Sequence, residues 1–482
     1  MRSYIKGPAF ILIFLGLLIF TYSCGGGGTD LFAGGGISGT GKYTGVVSGF
    51  GSIFVNGIEF DTSNATIIVE GKPGTESDLS VGMKVTVSAS DSMADEVIFE
   101  PEIKGIITDI DAPANSLDVM GQTVQITTAT VLSGFTSILD LAAGDHVLVS
   151  GFFDSTNTIV ATYIRLLLQA PSVFEIKGYV KNLDSLNKTF EINNLRVDYS
   201  SATLSQQLNN GDFVEVKGNY SAGLFTATSV EITVPVEKGS PGDTIKVEGL
   251  ITDFIAADNF QVNGLTVITT PDTKYINGTS AELTTNIWIE VHGQINSSGE
   301  LVASQIEFRY NVRQEVEFKG VLDDVDQTLS TVSIFSKVVK VSSSTIFKDD
   351  SSSSIQNFTF QNLTTGDYVK IGGFVNSNGE IIATKIEKID PVTENTLKGP
   401  VDRGSENNTI GNYSIAVLGI TVDMNDPSIT FEDIDDNPIS MATFFNSIDD
   451  TKSPGDIVEV EGNYSQADGR FYATKVTIER IN

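Results

Sequence analysis

Cysteine is almost missing from this chain of 482 residues: Cys24 stands alone, so no disulfide can form within it. Histidine is nearly as scarce. His146 and His292 lie far apart, too little material for a zinc site of Cys and His ligands. Basic residues are outnumbered, 30 Lys and Arg against 61 Asp and Glu, and a formal charge of -31 repels phosphate backbones. Nucleic acid is therefore a poor partner, and the acid is read first as a solubilising surface. The G-x-S-x-G elbow and the H-E-x-x-H helix are missing too, so the chain is read as non-catalytic and without a bound cofactor.

What is abundant is repetition. Gly211-Asp212-Phe213-Val214-Glu215-Val216-Lys217-Gly218 returns at Gly144–Gly151, Gly366–Gly373 and Gly455–Gly462, and a weaker copy runs from Asn286 to Gly293 without the leading glycine. Each copy reads as a turn, a short alternating strand, and a glycine where the chain bends. A second marker, a glycine-bearing strand, recurs at Gly45, Gly105, Gly178, Gly249, Gly320 and Gly399, 60 to 79 residues apart. Repeats at such spacing predict an array of small modules. Asn56-Gly57, Asn263-Gly264 and Asn193-Asn194 mark tight hairpins after that first strand. A less regular stretch, such as Leu204–Leu208, has room for one helical turn before the Gly-Asp phrase. Prolines at 101, 171, 235, 241 and 391 punctuate the joints.

The predicted fold is all-β: about six small antiparallel barrels of OB-like kind in tandem, behind a signal peptide and a flexible linker. Closure of each sheet would remove the free edges through which an array aggregates. A short immunoglobulin-like sandwich competes, but modules of this length fall below the ~100 residues usual for it. The expected divisions are a signal at 1-23, a tether at 24-41, and modules at 42-100, 101-170, 171-236, 243-310, 313-390 and 394-482.

The N-terminus carries Arg2 and Lys6, then an apolar run from Ala9 to Phe20, the form of an export signal. Thr21-Tyr22-Ser23-Cys24 resembles a bacterial lipoprotein lipobox, although Thr21 stands where an aliphatic residue is usual. The resemblance implies acylation of Cys24 and a membrane anchor there. Gly25, in place of aspartate, resembles sorting to the outer membrane, facing the periplasm or the cell surface. Gly36–Tyr43 imitates a phosphate loop, but Tyr43 replaces the magnesium-binding hydroxyl residue and no helix pattern follows.

Gly45–Thr62 together with Asp78–Val87 is similar to a bacterial domain-of-unknown-function family, number 5666. That resemblance implies tandem small β-barrels in exported proteins and lipoproteins, and it brings no catalytic residues with it. Module 6 departs furthest, through an insert around residues 425–450.

Candidate chemistry is thin. Asp433, Asp435 and Asn437 have the opening of a calcium loop, but Pro438 occupies the glycine position and Phe444 that of the bidentate glutamate. Asp323-Asp324-Val325-Asp326 is a shorter imitation. Strand aromatics (Phe50, Phe54, Tyr179, Phe213, Tyr220, Trp288, Tyr368, Tyr464) are expected in cores first and on sugars second. The resulting expectation is a non-catalytic cell-envelope lipoprotein, a structural or binding scaffold with envelope proteins or glycans as partners. The alternative is a carbohydrate- or calcium-dependent adhesive protein.

Overall fold

A computed structural model describes residues 40–50, 52–236, 239–311 and 314–481. The expected signal segment, Cys24 and the expected tether up to residue 39 lie outside the described residues. The first strand, Thr40–Gly49, begins two residues inside the expected tether. It carries Lys42 and Tyr43 of the phosphate-loop imitation, and Tyr43 is buried against Phe60, ring centroids 5.0 Å apart.

Module 2 shows the common plan. Its first strand, Ile103–Asp111, passes through a hairpin to Ser116–Val119 and Gln122–Gln125. A short strand, Val131–Ser133, and one 3-10 turn, Ile138–Asp140, lead to His146–Phe153. Ile159–Leu167 closes the module, antiparallel to His146–Phe153, which is itself antiparallel to the first strand. On its other side the closing strand runs parallel to the third, Val124 opposite Ile159. The short strand Val131–Ser133 also pairs parallel with it, Val131 opposite Tyr163, so the sheet meets itself as a small barrel through parallel contacts that alternation patterns alone could not reveal. All six modules repeat this order; in modules 1 and 6 isolated bridges, Asp61 to Met93 and Val401 to Val417, complete it. Alternation decides which side chains fill the barrels: in Lys84–Ser90, Val85, Val87 and Ala89 point inward while their neighbours do not. Each fully buried aliphatic or aromatic side chain contributes roughly 1.5–3 kcal/mol.

The recurring phrase has a distinct job at each residue. Its leading glycine adopts φ of +104°, +91° and +92° at 144, 211 and 366, and Asn286, where the glycine is lost, holds φ +67°. Asparagine tolerates this region best after glycine, which explains the weaker copy. The aspartate closes the turn: Asp145, Asp212 and Asp367 each accept from a backbone N–H three residues earlier, at 2.7–2.9 Å. The closing glycine sits at a β-bulge against the last strand in modules 2 to 6, and Ala89 takes its place in module 1.

The first-strand glycine makes room for a plug. A Cβ on Gly45 would lie 1.7 Å from Asn56 Oδ1, and the facing residue in the other modules is Met120, Ile192, Asn263, Phe335 or Leu418. Met120, Phe335 and Leu418 hold φ near +50° at their hairpin turns, as Asn56 and Asn263 do. An apolar side chain in the left-handed region is costly alone; here it fills the end of the barrel. The stretch Leu204–Leu208, expected to make a helical turn, instead follows a two-residue strand, Thr203–Leu204. Single 3-10 turns occupy this place in modules 1, 2, 4 and 5, and the insert of module 6 supplies the helix Met441–Ser447. Among the described residues no helix is long and apolar enough to cross a membrane.

The modules are not beads on a string. They merge in pairs into three thirteen-stranded sheets, through their first strands. Modules 2 and 3 join antiparallel, with Lys104 opposite Glu175 and Ile103 opposite Ile176. Modules 5 and 6 join the same way, with Glu317 opposite Lys398. Modules 1 and 4, distant in sequence, join parallel from Gly41 opposite Thr244 to Thr44 opposite Val247. The three pairs then contact each other: Lys385 of module 5 donates to Thr130 O of module 2 at 2.6 Å, and Lys84 N of module 1 donates to Ser150 Oγ at 2.9 Å.

Candidate functional site at the module seams

The chemistry of this molecule gathers where first strands meet. The phrase "charged, apolar, charged, glycine" on those strands puts apolar residues into the barrels and sends the charged ones into the seams. There they are buried by the next module instead of wetted.

The parallel seam between modules 1 and 4 holds the densest network. Glu248 extends the ladder with its carboxylate: Val46 N and Trp288 Nε1 donate to its two oxygens, each at 2.9 Å. Burial pushes Glu248 up to about 7 despite those donors and nearby Arg309. Glu290, only 1% exposed, is bound by Lys246 at 3.0 Å and by Arg309, itself 7% exposed. Burial alone would raise Glu290, but Arg309 and Lys246 hold it below the usual carboxylate range. Arg309 also reaches Glu307 at 2.9 Å, and Lys246 Nζ donates to Asn56 O across the seam at 3.0 Å. A small cavity of about 30 Å³ opens here onto module 5, and Asn56 Oδ1, Arg309 Nε and Ser344 Oγ on its wall have no protein hydrogen-bond partner. It has the size and polarity of a buried water site.

At the seam of modules 2 and 3, Glu100, Glu175 and Glu215 place a carboxylate oxygen each within 4.8 Å of one another. Lys217 pairs with Glu215 and lies 3.8 Å from Glu175, and Lys177 lies 4.0 Å from Glu215. The two ammonium groups occupy the positions a cation would need. Burial, then Glu215, raises Glu175 to about 7. The third seam repeats the theme: Lys398 pairs with Glu479 at 2.7 Å and Lys370 with Glu317 at 3.2 Å, while burial and Glu479 push Glu459 up to about 7. Sequence reasoning missed all three clusters. Their members lie on separate strands far apart in sequence, and a charged residue beside a glycine reads as exposed.

Six stretches, residues 41–98, 104–165, 177–231, 248–307, 319–387 and 398–477, match the model of a domain of unknown function, DUF5666. The chain belongs to that family. No curated protein matches it. The six DUF5666 matches fall on the six barrels, and each covers its own glycine-bearing first strand and closing strand.

The residues singled out from sequence are dispersed over these repeats. Asp433 turns its carboxylate back into its own loop and accepts from Asp435 N at 3.0 Å, Asn437 N at 2.9 Å and Asn437 Nδ2 at 3.2 Å. The loop is a hairpin between Thr430–Glu432 and Pro438–Ile439. Asp323, inside the strand Glu315–Asp326, accepts from Ser336 N at 2.8 Å and from Gln466 Nε2 of module 6, whereas Asp326 opens a turn and accepts from Thr328 N at 2.8 Å. Trp288, Phe213 and Tyr368 are buried. Tyr464 packs on Phe335 with centroids 5.0 Å apart, and its hydroxyl is 3.0 Å from Ser336 Oγ, so it joins modules 5 and 6. His146 sits 6.0 Å from the Phe174 ring, and burial lowers His292 in another module.

Proposed function

We propose that this chain is an exported, lipid-anchored envelope protein whose six-barrel body serves as a non-catalytic scaffold, presenting loops from several modules in fixed mutual positions. One observation carries the reading: the modules share continuous sheets with buried charged seams, so their outer loops keep their spacing. Surfaces held in fixed register bind a repetitive partner with an avidity that independent beads would lose to chain entropy. The N-terminal apolar run, Ser23-Cys24 and the glycine-rich tract support export and acylation. Gly25 after the cysteine supports the outer membrane as destination.

The anchor is tested by feeding the native host a fatty-acid analogue and comparing Cys24→Ala with wild type in membrane fractions. Label on the wild type alone, with the variant released or unprocessed, is expected; an unlabelled soluble wild type would overturn the anchor. Envelope cross-linking from cysteine-free loops then tests the scaffold, which requires the same partner to be captured from more than one module. For the Asp433 loop, the self-satisfied carboxylate leads us to expect no change in melting temperature when calcium replaces chelator.

A further inference from the structure

A second cleft lies where modules 2, 3 and 4 meet, away from the charged seams. Its volume is about 190 Å³. One wall is aromatic. Phe153 is buried and Tyr179 half-buried, and both rings are fixed by Phe213, at centroid distances of 5.4 Å and 4.9 Å. The opposite wall is polar and belongs to module 4. Asp253 stands cross-strand from Gln261, so their side chains share one face. Asn263 follows them at the hairpin turn, only 4% exposed, and its Oδ1 has no hydrogen-bond partner. Asp154 adds a carboxylate whose Oδ1 already binds its own loop through Thr156 N and Thr158 N, at 2.8 and 2.9 Å.

This combination selects its ligand by exclusion. No described lysine or arginine lines the cleft, and a formal charge of -31 disfavours an anion. A metal ion has no use for an aromatic wall. A large apolar ligand would leave Gln261 and Asp253 unpaired, at a desolvation cost. A sugar ring matches both walls: it has an apolar C–H face for the aromatic side, and hydroxyls that donate to carboxylates and amide oxygens. The volume is below the ~300–1,000 Å³ of drug-sized pockets, which suits one ring. We propose that the cleft between modules 2, 3 and 4 binds a neutral pyranose, its apolar face on Tyr179 and its hydroxyls on Asp253 and Gln261. The site goes beyond the scaffold reading and stands without it, since it needs neither the anchor nor a protein partner.

The test uses the full-length chain in a zwitterionic, sugar-free detergent. Methyl glycosides of glucose, galactose, mannose and N-acetylglucosamine are titrated by ligand-observed NMR, with methyl glucuronide as the anionic probe. At least one neutral glycoside is expected to saturate, with a dissociation constant on the order of 1 mM for so small a ligand. Asp253→Ala and Gln261→Ala, both at the cleft surface, should each weaken it about tenfold with the melting temperature unchanged. Tyr179→Phe, which keeps the ring and removes the hydroxyl, should weaken it less than either. The proposal is overturned if no neutral glycoside saturates, if glucuronide binds best, or if Asp253→Ala and Gln261→Ala leave binding intact. Fatty-acid labelling at Cys24 would stand or fall separately from all of these results.

Discussion

Modules 1 and 4 are joined parallel across some two hundred residues of chain, whereas modules 2 and 3, and 5 and 6, are sequence neighbours joined antiparallel. The neighbour seams place oppositely charged residues at facing register positions, Lys104 with Glu175 and Glu317 with Lys398, although the ion pairs run to Glu70, Lys217, Lys370 and Glu479. The parallel seam has no such facing charges: Lys42 stands opposite Ile245 and Lys246 opposite Tyr43. It satisfies its charges through a network in depth, in which Glu248 caps a backbone N–H of module 1 and Arg309 serves Glu290 and Glu307. The contrast teaches that a non-local joint relies on side chains that reach beyond the ladder. Loss of one of them should therefore be felt more there than at a neighbour seam.

The largest effect is expected from Arg309→Met. It leaves Glu290 buried against Lys246 alone, and removing one partner of a buried pair costs about 3–5 kcal/mol. Lys104→Met at the seam of modules 2 and 3 should cost less, about 1 kcal/mol, because its partner Glu70 is better exposed and can rehydrate. Denaturant midpoints of the two variants measure the difference. Equal losses would end the distinction between the seams.

Dependence on pH comes next, because each seam carries one glutamate raised to about 7: Glu175, Glu248 and Glu459. A raised carboxyl favours the folded state while protonated, so its penalty starts near the ordinary carboxylate value and is complete above pH 7. For each group it amounts to at most about 3 kcal/mol. Glu290, Glu315 and Glu387 work in the opposite sense. Burial opposes their charge, but Arg309, Lys398 and Lys385 hold each below the usual range, so their contribution is lost as pH falls through those lowered values. Melting temperature should peak at about pH 5, decline as pH rises to about 7, and change little above that through these groups. Glu459 faces Glu479, Lys398, Glu317 and Lys370, so Glu459→Gln should recover about 1–2 kcal/mol at pH 8.5 and little at pH 4.5. Equal effects at both pH values would assign the decline to other groups.

Much of the barrel was legible because its markers are local. Turn glycines, the aspartate that caps the turn and the bulge glycine each act within a few residues, and even the weak copy at Asn286 keeps its conformation. The plug was legible only where it is an asparagine before glycine, at Asn56 and Asn263. Met120, Phe335 and Leu418 do the same work against turn preference, paid for by packing that the sequence does not display. The pairing of modules was illegible because identical first strands could join in many combinations, and the cleft between modules 2, 3 and 4 exists only once they have joined.

Two first-strand glycines separate the plug from the seam. Gly399→Ala meets only Leu418, its nearest atom 3.0 Å from the new Cβ, and a flexible leucine can yield, so a cost below about 1 kcal/mol is expected. Gly45→Ala drives a methyl to 1.7 Å from Asn56 Oδ1 and to 2.8 Å from Glu248 Oε2. Asn56 cannot simply swing away, because its Nδ2 donates to Thr44 O at 3.0 Å and its own carbonyl receives Lys246. A cost of about 2–3 kcal/mol is expected for Gly45→Ala. The double variant Gly45→Ala with Asn56→Gly removes the clash but keeps the seam. If it regains most of the loss, the glycine serves the plug alone. If the loss persists, the methyl is disturbing Glu248, and the parallel joint is coupled directly to the interior of the first barrel.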